Sequence, residues 1–186
     1  MTQPNSTLTL PTAIAQPWAP VIYHVLKTHA ITLVSYVPDA GHSELLALCQ
    51  ADATMQTVSL TTEEEGIALA AGAHLGGKRA VLLMQSSGVG NCINMLSLVK
   101  TCSFPFLTLI TMRGEFGEFN PWQVPMGQAT AATLAAMGLI VQRVERQSDV
   151  QEVVDAAARL IFDSYCGVAV LLSQRLIGTK RFVEGK

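Results

Sequence analysis

Six short runs of strand-forming residues, at 31–37, 57–60, 79–85, 105–111, 139–144 and 167–173, alternate with segments that carry helix signals. This alternation restricts the fold more than any other feature of the chain. Four of the runs are nearly all apolar, "RAVLLMQ" and "GVAVLLS" among them, where a strand with one wet face would alternate. Strands buried on both faces belong to parallel sheets whose crossover helices cover each side. Helix starts are readable at Pro20, at Ser43 before "ELLALC", at Thr62 before three glutamates and at Ser148 before "DVQEVVDAAARLIF". The expected fold class is α/β: doubly wound, with a mainly parallel six-stranded sheet and helices on both faces. No repeat, low-complexity block or linker divides the 186 residues, so residues 1–15 are expected to form a flexible polar arm and 16–186 a single domain.

In sheets of this kind ligands sit at the carboxyl ends of the strands, near the point where strand order reverses. The loops that matter are therefore "VPDAGHS", "LTTEEEG", "QSSGVGN" and "TMRGEFGEFNPWQVPMGQ". "GAHLGGKR" (72–79) imitates a phosphate-binding loop in the wrong setting: it ends a helix, leads into a strand and has Arg79 where a hydroxyl is required. Gly76 and Gly77 read instead as a helix C-cap. "QSSGVGN" has the right setting, because it follows an apolar strand and enters the helix expected over "NCINMLSLVK". Its Gly88 and Gly90 either let a ligand approach the backbone or serve a tight turn. Ile93 stands where a dinucleotide fingerprint needs its third glycine, which disfavours NAD.

The connection from Thr111 to Gln128 is long for its class, and it carries Arg113, Glu115, Glu118, Trp122 and Gln123. Arg113 either clamps an anionic substrate group with its two-pronged guanidinium or pairs with Glu115 or Glu118. Asp39 and His42 stand just past a strand end, as a proton-handling pair or as a turn former and a helix-start residue.

A formal net charge of -2, with no Lys/Arg-rich run, leaves no electrostatic footprint for nucleic acid or an anionic membrane. No apolar stretch reaches the ~18 residues of a membrane span, and the N-terminus lacks a basic signal segment, so a cytoplasmic location is expected. Only 14% of the residues are charged against 49% hydrophobic, which suggests that part of the surface meets a partner. Cys49, Cys92, Cys102 and Cys166 are scattered without metal-ligand spacing and read as small buried residues. No metal ligands are expected in this chain.

Glu63, Glu64 and Glu65 open a helix of small apolar residues. The helix dipole favours carboxylates in a first turn, which accounts for one or two of them. Consecutive helical residues point about 100° apart, so if the helix is packed on all sides at least one glutamate faces inward. Burial raises the proton affinity of such a carboxylate unless a partner compensates, and sites obtain a general acid in that way.

These stretches, "TTEEEGIALAAGAHLGGKRAVLLMQSSGVGN", "SFPFLTLITMRGEFGE" and "QVPMGQAT", resemble the pyrimidine-binding domain of thiamine-diphosphate-dependent 2-oxo acid decarboxylases. The similarity runs over residues 20–175 and is nearest to the alpha subunits of sulfopyruvate decarboxylase and the matching half of phosphonopyruvate decarboxylase. In that family a glutamate nine residues before the helix's glycine hydrogen-bonds the cofactor's aminopyrimidine, and counting back from Gly72 reaches Glu63. The resemblance implies a catalytic role for Glu63, with Asp39 or His42 assisting the protonation that releases the aldehyde. It implies cofactor contacts from Gln85, Ser87, Gly88 and Asn91, and substrate contacts from Ser86, Arg113 and Gln128. Ser86 replaces an asparagine frequent in the family.

The family's diphosphate and Mg²⁺ sites lie on a second domain with a GDG motif, and no GDG occurs here. The resemblance thus implies a separate beta subunit, thiamine diphosphate and Mg²⁺ held between the chains, and a hetero-oligomer of α/β pairs, at least α2β2. The implied reaction is decarboxylation of a small anionic 2-oxo acid, sulfopyruvate to sulfoacetaldehyde foremost, with the thiazolium as electron sink. Phosphonopyruvate or another small 2-oxo acid is the alternative substrate. The alternative class is a non-catalytic α/β binding or regulatory subunit.

Overall fold

The computed structural model describes residues 17–179. The expected arm at 1–15 lies outside the described residues, as do residue 16 and residues 180–186 of the expected domain. The strands are β1 (Ile31–Tyr36), β2 (Gln56–Ser59), β3 (Arg79–Gln85), β4 (Phe106–Thr111), β5 (Ile140–Val144) and β6 (Gly167–Leu172). Each expected run is a strand, with ends that move by no more than one residue. The helices are α1 (Trp18–Thr28), α2 (Ser43–Ala51), α3 (Glu63–Leu75), α4 (Val89–Cys92), α5 (Ser97–Cys102), α6 (Val124–Ala136), α7 (Val150–Ser164) and α8 (Gln174–Ile177).

All strand pairs are parallel and the order is β2-β1-β3-β4-β6-β5. Every residue of β4 and β6 is buried, whereas the edge strands β2 and β5 keep exposed positions. The four nearly all-apolar runs are thus the four interior strands. Their residues alternate between two cores. Val81 and Leu83 join Trp18, Ile22, Leu45 and Val154 on the face covered by α1, α2 and α7. Ala80, Leu82 and Met84 join Ile67, Val89, Leu96 and Leu134 on the face covered by α3 to α6. Each such fully buried leucine contributes ~1.5–3 kcal/mol relative to exposure.

The glycine pair closes α3 as expected. Lys78 N–H donates to Ala73 and Gly77 N–H to His74, with Gly77 at φ 72°, which satisfies carbonyls that the helix end leaves open. Three local expectations need correction. The single helix expected over 91–100 is two short helices, because Cys92, Leu96 and Val99 turn into the second core through i→i−3 bonds at Ser97, Leu98 and Val99. The helix α3 is not packed on all sides: Gly66, Ile67, Ala70 and Ala73 are buried, while Ala68, Gly72 and Leu75 are exposed. Cys102 is exposed rather than buried and Cys166 half-buried, while Cys49 and Cys92 lie in the cores.

From β1 the chain steps outward to β2, then crosses back to β3 on the other side of β1. Strand order therefore reverses at the carboxyl ends of β1 and β3, neighbours whose register sets Tyr36 opposite Leu83. Gln85 and Asp39, at and just past these ends, meet through a hydrogen bond at the crevice expected where strand order reverses.

Candidate active site

Glu63 is the inward glutamate. It is 8% exposed, whereas Glu64 is half-buried and Glu65 exposed. Thr62 holds the N-cap position without a side-chain bond; Glu65 does the capping, with its carboxylate accepting from Thr61 N–H at 2.9 Å. Across the crevice the turn after β3 presents Gly88, where any Cβ would overlap the Glu63 carboxyl group. Glycine is required there for the close approach, and not for a left-handed backbone. Asn91 Nδ2 donates to Glu63 Oε2 at 2.8 Å. Among the described residues that is the single hydrogen bond Glu63 receives.

A second set of groups lines the ends of β1, β3 and β4. Ser87 Oγ donates to Gln85 Oε1 at 3.0 Å, and Gln85 Nε2 donates to Asp39 Oδ1 at 2.9 Å. Thr111 Oγ1 donates to Asp39 Oδ2 at 2.6 Å. Burial works to raise the Asp39 pKa, but the bond from Thr111, the neighbouring His42, Gly41 N–H and Gln85 outweigh it and hold the carboxyl below its usual range. Asp39 is thus an anion and an acceptor at neutral pH. Thr111 carried no sequence signal, although it ends an apolar strand at the crevice.

Three of the expected site residues turn away from the opening. His42 is 3% exposed; its Nε2 lies 3.2 Å from the Met84 carbonyl and 3.1 Å from that of Leu109. Both partners are acceptors, so Nε2 carries the proton, and Nδ1 is buried without a partner. Burial pushes its pKa down despite Asp39 and the two carbonyls, which keeps the ring neutral. His42 thus braces β3 against β4, with its ring buried away from the mouth. Ser86 is fully buried, its Oγ accepting from Arg113 N–H at 3.1 Å, which removes it from substrate contact.

Arg113 takes the ion-pair alternative. Its Nε and Nη2 each lie 2.6 Å from a carboxylate oxygen of Glu118. Glu118 also accepts from Gly114 N–H, Asn120 N–H and Gln174 Nε2, and this set pushes its pKa down to about 2. Gln174, 1% exposed, turns its Oε1 to Glu115 N–H and Phe116 N–H. The connection is therefore fastened along its length, and it is shorter than expected because α6 begins at Val124. Gly127 lets α6 approach the Arg113 carbonyl, where any Cβ would collide. Gln128 is exposed on α6 and its side chain bonds to no other described residue, and the groove beside Ser87 is lined instead by Pro121, Trp122, Pro125, Met126 and Ala129. Neither Gln174 nor the choice of Glu118 over Glu115 was legible from spacing.

Residues 18–139 match the family described as "Thiamine pyrophosphate enzyme, N-terminal TPP binding domain". The chain is 34% identical over 152 residues to the sulfopyruvate decarboxylase subunit alpha of Methanococcus maripaludis, covering 81% of this chain and 91% of that one. It is 43% identical over 108 residues to the same subunit of Methanocaldococcus jannaschii, covering 58% and 64%. A phosphonopyruvate decarboxylase of Streptomyces viridochromogenes is 35% identical over 106 residues, 56% of this chain and 27% of that protein. Among solved structures, a 2-oxoglutarate:ferredoxin oxidoreductase from Magnetococcus marinus superposes with a TM-score of 0.71 at 18% identity, over 86% of this chain and 29% of that one. At that identity the likeness is one of fold.

Proposed function

The chain belongs to the thiamine pyrophosphate enzymes through their N-terminal TPP binding domain, and on that premise we propose that it is the alpha subunit of a decarboxylase converting sulfopyruvate to sulfoacetaldehyde and CO2. The observation that carries the reading is Glu63, a buried carboxyl group with one hydrogen bond, at the crevice where strand order reverses.

The residues present fit the cofactor's aminopyrimidine. Glu63 would meet a ring nitrogen through one hydrogen bond, Asn91 fixes the plane of the carboxyl group, and Gly88 lets it lie against backbone. When bound, the cofactor supplies the electron sink for loss of CO2. Asp39 acts at the mouth as an ionised acceptor oriented by Thr111 and Gln85. It takes a proton before it gives one, so it serves as base first and acid second. Ser87 orients Gln85, and neutral His42 holds the strand ends that position both.

A separate beta subunit holds the diphosphate and Mg²⁺, in an assembly of α/β pairs in the cytoplasm. The match along 91% of a relative named as subunit alpha supports that division. Phosphonopyruvate is the second substrate to assay, since its decarboxylases match this chain over a shorter stretch. The test combines the chain with its partner. The pair is expected to bind thiamine diphosphate with Mg²⁺ by calorimetry and release CO2 from sulfopyruvate, while the chain alone does neither. Tight binding by the chain alone overturns the division of the site, and failure of the pair on both 2-oxo acids overturns the decarboxylase reading.

A further inference from the structure

A small 2-oxo acid with an anionic group at each end needs cations to hold it. The loops at the carboxyl ends of β1 to β4, residues 37–42, 60–65, 85–91 and 112–123, contain no lysine and a single arginine, Arg113. They contain six carboxylates, Asp39, Glu63, Glu64, Glu65, Glu115 and Glu118. Arg113 is already committed: its fork closes on Glu118, with side chains 10% and 4% exposed. Guanidinium does not deprotonate, and the Arg113 bond holds Glu118 down to about 2, so the two stay oppositely charged at neutral pH. Glu115 is occupied in the same way by Arg143. Asp39 accepts from the neutral donors Thr111 and Gln85, and the Arg113 cation, closed on Glu118, also bears on its charge. An anion that entered beside this chain alone would find the one arginine of these loops already paired.

The connection after β4 also carries exposed aromatic side chains that suit contact with another surface. Phe116 and Phe119 are 44% and 41% exposed, and Trp122 is 86% exposed above the apolar groove beside Ser87. Such a patch at the edge of a site marks a protein contact.

We infer that the cation gripping the anionic end of the substrate is carried by the partner subunit, opposite the edge formed by Asp39, Gln85 and Ser87. The inference rests on the decarboxylase reading above. Arg175, stacked on Phe116 at the end of β6, is the competing source in this chain, with Lys180 and Arg181 beyond the described residues.

The test uses the assembled pair with 3-sulfopropanoate, a saturated carboxylate–sulfonate dianion. Turnover of sulfopyruvate is measured first. Arginines are then labelled with phenylglyoxal and lysines by acetylation, with and without 3-sulfopropanoate, and the labelled peptides of both chains are mapped by mass. The expected result is loss of labelling at an arginine or lysine of the partner subunit, with Arg113, Arg175, Lys180 and Arg181 unchanged. Protection confined to this chain, or absent from both chains while turnover stands, overturns the inference and leaves the decarboxylase reading intact. Absence of turnover overturns that reading and the inference with it.

Discussion

Two buried carboxylates stand at one mouth in opposite surroundings. Glu118 accepts from Arg113 twice, from Gly114 and Asn120 N–H and from Gln174. Glu63 accepts from Asn91 alone among the described residues. A saturated carboxylate has no lone pair to offer and acts as a fastening. One that is buried and under-bonded costs the fold ~1–3 kcal/mol, which a ligand with a matching group recovers on binding. The number of donors around each group, and not burial, separates the residue that holds the loop from the residue that meets a ligand.

The strongest way to break this contrast is to remove the proton from one group while keeping its shape. In the assembled pair, Glu63→Gln is expected to lower turnover by ~10²–10⁴-fold, the usual contribution of a positioned acid or base. Its thermal midpoint should stay near that of the parent chain, because a glutamine amide still meets Asn91. A variant that keeps full turnover, or one that unfolds, would make Glu63 a fastening like Glu118.

The converse substitution acts on stability. Glu118→Gln leaves Arg113 buried against a neutral amide, and removal of one partner from a buried pair costs ~3–5 kcal/mol. Urea unfolding measures it. The acid limb sharpens the point: Glu118 has its pKa depressed from 4.5 to about 2, so its contribution is complete above 4.5 and is lost as pH falls toward 2. Glu118→Gln should flatten the stability profile across that window, and an unchanged profile would show that the Arg113 pair is not what fastens the loop.

The fold was legible because each piece of it is a local pattern. The runs "RAVLLMQ" and "PFLTLIT" are apolar without alternation, and they became the interior strands β3 and β4. The choice of Glu63 among the three glutamates came from the family resemblance, by the count back from Gly72; helix geometry pointed only to one inward carboxylate and left open which. What escaped notice are pairings between distant positions. Gln174 lies 56 residues from Glu118, and nothing in either segment names the other. Ser86 and Ser87 are adjacent and chemically identical, yet the path of the turn buries one under Arg113 N–H and exposes the other. His42 sits where a helix start meets the sheet, and the carbonyls of Met84 and Leu109 that capture it belong to two other strands.

The smallest expected effect belongs to the third glutamate, which tests whether position alone divides the roles in "EEE". Glu65 shares the helix start with Glu63 and differs from it by two positions, about 200° around the axis, which carries it from crevice to solvent. Its carboxylate accepts from Thr61 N–H and sits at the positive end of the α3 dipole. Both contributions are screened by water, so Glu65→Gln should cost ~0.3–1 kcal/mol of stability. Turnover of the assembled pair should be unchanged, because the residue faces neither Gly88 nor Asn91. High salt should shrink the difference in stability further, as expected of an exposed charge and a dipole. Should Glu65→Gln instead lower turnover as Glu63→Gln does, the proton would not belong to the inward residue, and bond count would fail to separate the two kinds of carboxylate.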